Sequence, residues 1–321
     1  MSKGENFSLK GKEIKNIAKR IPITAIIIMT ILLAGTTTVG VITVWADNFF
    51  GTSGPDTLVG TDDDDNIFGE GGNDDLSGEG GDDYIVGDAG NDEINDGLGS
   101  DNIWARNGLD TIEIEGGSED DVDEVHGGSG NDNIDNSGES GFRLIFGEDN
   151  DDTITASSSE SFEGRMYGGS GNDEITAAGE VDFDAWGGSG NDEISGSSEC
   201  VLDRAFGGSG RDTIEFAGSF TRGGSGNDVI EFFDCGGTAY GDDGDDRISG
   251  GDSGIEAHGG SGDDILEGGD GENELFGDRG DDELTGVEGE ADSFDCGPGT
   301  DTITDFNAAE GDTRTGDCEN F

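Results

Sequence analysis

Lysine is missing from nearly all of this chain. The five lysines fall at or before Lys19, and after Arg20 the only bases are nine arginines. From Asp47 to the end, 74 acids face those nine bases. So few cations leave nothing to hold a phosphate backbone, which excludes nucleic acid as a partner, and a membrane can be engaged only through the amino terminus. Histidine is almost absent as well, with only His126 and His258, and neither an HExxH nor a GxSxG sequence occurs. The zinc-protease and serine-hydrolase motifs are thereby excluded. Apolar residues make up only 30% of the chain against 63 glycines, a composition that ordinarily means disorder.

One long uncharged run exists, from Ile21 to Trp45, behind a basic start carrying Lys3, Lys10, Lys12, Lys15, Lys19 and Arg20. With Val44-Trp45-Ala46 ahead of Asp47, residues 1–46 read as a secretory signal peptide or as an uncleaved membrane-anchor helix. Both readings place Asp47 onward outside the cell, secreted or anchored at its surface, because the basic flank stays inside.

What contradicts disorder is a repeat. Gly51 to Glu113 divides without a gap into GTSGPDTLV, GTDDDDNIF, GEGGNDDLS, GEGGDDYIV, GDAGNDEIN, DGLGSDNIW and ARNGLDTIE, with aspartate always sixth and leucine or isoleucine always eighth. Beyond Glu113 the period lengthens to about eighteen, in units such as GGSGNDNID from Gly127, GGSGNDEIT from Gly168 and GGSGDDILE from Gly259. A unit repeated this often must meet the same surroundings each time, which predicts a solenoid.

These units resemble the RTX, or haemolysin-type, calcium-binding nonapeptide GGxGxDxUx, over roughly residues 51 to 304. The resemblance implies an all-β fold: a parallel β-roll or β-helix solenoid of about fourteen coils, two units per coil, the first six residues of a unit forming a turn and the last three a strand. It also implies calcium as the cofactor, many ions per chain, held between successive turns by sixth-place aspartates and turn carbonyls. Glycine permits the left-handed backbone and aspartate supplies charge at short reach.

Two units per coil sort the aspartates onto two edges. One edge collects Asp56, Asp74, Asp92, Asp110, Asp132, Asp152, Asp173, Asp192, Asp212, Asp228, Asp246, Asp264, Asp282 and Asp301, and the opposite edge only Asp65, Asp83 and Asp101, with a weak return at Asn273. Residues 51–113 thus carry calcium turns on both edges and 114–304 mainly on one. Two stacks of inward residues supply a thin core, Leu58 to Ile303 on the regular face and Ile67 to Leu275 on the other, the latter shrinking to alanine from Ala185 to Ala257. Outside the second stack runs an aromatic row, with Phe146, Tyr167, Trp186, Phe206 and Tyr240 as a candidate binding stripe for a cell-surface glycan or envelope protein; mutual stacking that braces the sheet explains the row equally well.

Residues 305–321 depart from the repeat and read as a C-terminal cap. Cys296 and Cys318 form one disulfide candidate pair and Cys200 and Cys235 another, the second spanning about two coils and so beyond normal reach. Buried area alone is too small to order so acidic a chain, so folding is expected to depend on calcium. The composition and motifs give an extracellular calcium-binding protein with a structural or adhesive surface role and no enzyme activity. Two alternatives stand beside it: a calcium-dependent polysaccharide lyase or epimerase assisted by Arg143, Arg165, Arg204 or Arg222, and a calcium buffer with no specific partner.

Overall fold

The computed structural model describes residues 47–315 and 318, apart from 117, 119–120, 137–140, 197–201, 216–217, 234–235 and 288–289. The expected signal or anchor, Cys200 and Cys235 lie outside the described residues. Within them the chain is all-β, with no helix, wound as a parallel β-solenoid of about 13 turns. The fourteen expected coils correspond to fourteen rungs, which bound thirteen turns.

Each strand pairs in parallel with the strand one coil before it and one coil after it, and like lies on like: Ile94 beside Ile112, and Ile112 beside Ile134. Register is fixed because only one parity puts the aliphatics inside, and a slip of one residue would turn them all to solvent. On the regular face most strands are short, such as the three-residue Glu93–Asn95 with only the middle side chain buried. On the other face they are longer. Thr153–Ser170 and Glu174–Ser189 run past the far edge without a break, where the nine-residue turn has been lost.

Beyond Leu58, which is half-buried, both inward stacks are closed to solvent. Ile94, Ile112, Ile134 and Ile154 face Ile103, Val125, Ile145 and Met166, all at 0–1% exposure. The alanine tract is just as closed, since Ala185, Ala205, Ala239 and Ala257 are fully buried. Bulk returns around it through Phe183 and Phe232, which join the same core cluster. The edge of Phe183 lies where a side chain at Gly164 would stand, a built Cβ there coming within 2.3 Å of it. At the carboxyl end the strand Thr313–Thr315 pairs with Ser293–Asp295, and a disulfide joins Cys296 to Cys318 across 5.4 Å between Cα atoms.

Phe183 is the largest fully buried apolar side chain in the middle of the roll. Phe183→Ala is expected to lower the stability of the calcium-loaded protein by about 3–5 kcal/mol in urea unfolding. A loss below about 1 kcal/mol would show that the far edge is not packed as described.

Candidate functional site

The fourteen aspartates of the long edge form one unbroken hydrogen-bonded file. The backbone N–H of Asp56 donates to Oδ1 of Asp74 one coil on, that of Asp74 to Asp92, and so through Asp110, Asp132, Asp152, Asp173, Asp192, Asp212, Asp228, Asp246, Asp264 and Asp282 to Asp301, at 2.7–3.0 Å. Coils of 16 to 22 residues all keep this contact, because the extra residues are taken up elsewhere in the coil.

That bond uses one carboxylate oxygen. The other, Oδ2, is buried and meets no hydrogen-bond donor at Asp74, Asp92, Asp110, Asp132, Asp152, Asp173, Asp192, Asp212, Asp228, Asp246, Asp264 and Asp282. A buried carboxylate oxygen with no donor is costly, so a column of them signals a missing positive partner. The turns are shaped around these atoms. In each of them the second residue has positive φ, as at Glu70, Asp88, Gly169, Gly188 and Gly260. The first is nearly always glycine because a Cβ would meet the orphaned oxygen, at 2.4 Å for Gly187 and Asp192.

A second kind of turn closes on itself. At Asp56 and Asp65, both expected as metal ligands, Oδ2 accepts from the backbone N–H and hydroxyl of Thr52 and Thr61. Val287 and Asn307 likewise donate their N–H to Asp292 and Asp312. Asn273 goes further: its amide NH2 donates to the carbonyls of Gly269 and Gly271 and to Oδ1 of Asp292, at 2.8–3.0 Å. Turn carbonyls and the next carboxylate therefore converge on one point beside the rung, and in this coil an amide group fills it. Where the rung is aspartate with a free Oδ2, the same kind of all-oxygen set suits a hard cation such as calcium.

The opposite edge holds more than the sequence disclosed. Asp47, Asp65, Asp83 and Asp101 are linked as on the long edge, and the file continues to Asp123. It ends there because Arg143 takes the next place, with Nε 2.8 Å from Asp123 Oδ2 and both side chains 1% exposed. Gly164 and Phe183 follow in register, so the next two places on this edge hold no acidic side chain. The file resumes from Ile255 through Asn273 and Asp292 to Asp312. Asp123, Asp292 and Asp312 escape a nonapeptide search, yet each stands two places before an inward residue or its register equivalent, as Asp101 stands before Ile103; that spacing was the available signal.

The aromatic row is stacked in two runs. Trp104, His126, Phe146, Tyr167, Trp186 and Phe206 follow one another at centroid distances of 3.8–5.4 Å and interplanar angles of 5–11°. Arg222 interrupts it, with Phe220 tilted into the gap, and Tyr240, His258 and Phe276 resume it. The rings cover one another's faces and turn their edges outward. Both histidines are rungs of this stack, each flanked by two carboxylates. The four arginines considered for sugar chemistry are tied to acids: Arg143 to Asp123, Arg165 and Arg204 to Asp184, and Arg222 to Asp242.

Burial, above all, pushes the rung carboxyls up, with like-charged neighbours adding and the rung amide subtracting. Asp101 and Asp152 rise to about 8, Asp83, Asp110, Asp192, Asp228 and Asp264 to about 7, and Asp173, Asp246 and Asp282 to about 6. A raised folded-state value means that the fold binds protons more tightly than the unfolded chain. Without a cation, the fold is therefore most stable below the ordinary aspartate range and loses stability as pH climbs from about 4 towards 8. Acidifying the chelated chain from pH 8 to pH 5 is expected to raise its β-sheet circular dichroism; a flat signal would contradict the burial of these groups.

A family model for the RTX calcium-binding nonapeptide repeat (4 copies) matches residues 50–85, 77–112, 86–123, 165–183, 185–198, 238–253 and 258–290. No curated protein matches the chain.

Proposed function

This is an RTX calcium-binding nonapeptide-repeat protein, and from that premise we propose that it is an extracellular β-roll that folds when calcium fills its edges and then serves as a stiff surface-structural element. The column of buried Asp Oδ2 atoms without donors carries this reading. Calcium would lie along the long edge beside Asp74, Asp92, Asp110, Asp132, Asp152, Asp173, Asp192, Asp212, Asp228, Asp246, Asp264, Asp282 and Asp301, and on the opposite edge beside Asp83, Asp101 and Asp123. When bound, it supplies the positive charge that these carboxylates lack. The chain's own residues do the rest: left-handed second positions turn carbonyls inward, first-place glycines keep Cβ atoms out, and rung amides orient each carboxylate. Asp56 and Asp65 serve as hydrogen-bonded starting turns rather than as ligands. The paired strand Thr313–Thr315 and the Cys296–Cys318 bridge support a capping role for residues 305–321.

The stacked row favours a brace, since rings whose faces are covered by neighbours have no face to offer a sugar. The tied arginines likewise favour charge compensation over lyase or epimerase chemistry. One feature favours the adhesive alternative: a shallow hollow of about 760 Å³ where Arg222 breaks the stack, lined by Phe206, Tyr240 and His258 among others.

Two measurements test these statements. Circular dichroism is expected to show little β structure in chelator and a cooperative rise on adding calcium; an identical spectrum in both would overturn the calcium reading. Replacing Phe146, Trp186 and Tyr240 together by serine is expected to cost several kcal/mol, at about 0.5–1.5 kcal/mol per ring pair. Unchanged stability, with loss of binding to the producing cell's envelope, would favour adhesion instead.

A further inference from the structure

One turn carries a charged residue in the first place, where glycine is the rule. In the unit DGLGSDNIW, Asp96 stands where the equivalent residue one coil earlier is Gly78. A Cβ built on Gly78 would lie 2.3 Å from Asp83 Oδ2 and 2.0 Å from the carbonyl oxygen of Asp96 in the next coil. Asp96 escapes the second clash because its next coil is longer: Asp101 and Asp123 are 22 residues apart where the preceding rungs are 18 apart. The extra residues open room above Asp96, and Glu115 moves in to donate its N–H to Asp96 Oδ1, alongside the N–H of Gly97.

The Asp96 carboxylate is thus held by two backbone amides, and its other oxygen is aimed at the rungs. Asp96 is 0% exposed and its Oδ2 meets no donor. One carboxylate oxygen from each of Asp96, Asp101 and Asp123 lies within 4.8 Å of the other two. Three carboxylate oxygens that close together can share one ion, and an all-oxygen, multiply charged set suits a hard divalent cation such as calcium. On the far side, Arg143 contacts Asp123 and closes the file. Three carboxylates and one guanidinium leave an excess of two negative charges in a buried place, and one divalent cation balances it.

We propose that Asp96, Asp101 and Asp123 form a discrete calcium site at the end of the opposite edge, in which the side chain of a first-place residue is itself a ligand and Arg143 is a built-in counter-ion. Because three carboxylates converge on one ion, this site holds its calcium against chelation longer than the repeated turns, which offer fewer charges per gap. Burial and the neighbouring Asp123 also raise the Asp96 carboxyl well above its ordinary range, so a proton is the competing occupant. The inference rests on the calcium reading of the repeats.

Native mass spectrometry of the full chain counts bound ions directly. Calcium-loaded Asp96→Asn is expected to carry one ion fewer than wild type, and under graded chelation wild type should retain a last ion that the variant releases with the rest. If wild type binds no calcium at all, the general reading fails. If wild type binds many ions and Asp96→Asn binds the same number with the same release, Asp96 is a buried acid holding a proton and the proposal fails alone. Should the variant not fold, anomalous scattering from terbium-soaked wild-type crystals decides: a peak among the three carboxylates supports the site, and its absence with peaks elsewhere overturns it.

Discussion

A hydrogen bond from the amide of one aspartate to the side chain of the aspartate one coil away sets the terms for the whole molecule. It fixes the vertical register of the coils. It also aligns every carboxylate identically and spends only one of its oxygens. The second oxygen is left inside the edge of the roll, where desolvation raises the carboxyl well above its usual range, as at Asp152 and Asp228. The fold thus creates a regular column of charge that it cannot neutralise from its own composition, with nine arginines after Arg20. Stability then becomes a matter of what fills the column.

The structure contains three answers to that problem. Most turns leave the oxygen open and shape carbonyls and glycines around it. The turns of Asp56, Asp65, Asp292 and Asp312 close it with their own backbone N–H. Two places use a side chain as the cation or its equivalent: the Asn273 amide among two carbonyls and a carboxylate, and the Arg143 guanidinium against Asp123. The hydrogen-bonded solutions stand towards the two ends of the described residues. The open solution dominates between them.

Much of this was legible in the sequence. The sixth-place aspartate and eighth-place aliphatic carry the coil length, both inward stacks and the long file from Asp56 to Asp301, because a period-locked pattern leaves little choice of register. The aromatic row was legible as a row, but the parallel stacking that hides its ring faces depends on side-chain rotamers that no spacing encodes. Asp123, Asp292 and Asp312 were missed because their half-coils keep only the D-x-inward spacing and not the glycines. Asp96 stands in the place of a first glycine in DGLGSDNIW, but its burial depends on the longer coil that follows it. Asp56 and Asp65 look like their neighbours in the motif, and only the threonine at the second place sets them apart.

The central claim is that the rung bonds exist only when the second oxygens are satisfied. Hydrogen exchange read at the rung amides, from Asp74 to Asp282, tests it most directly. The account predicts slow exchange along the whole file with calcium bound and fast exchange along the whole file in chelator at neutral pH. Equal protection in both conditions would contradict it, because the ladder would then stand without any cation.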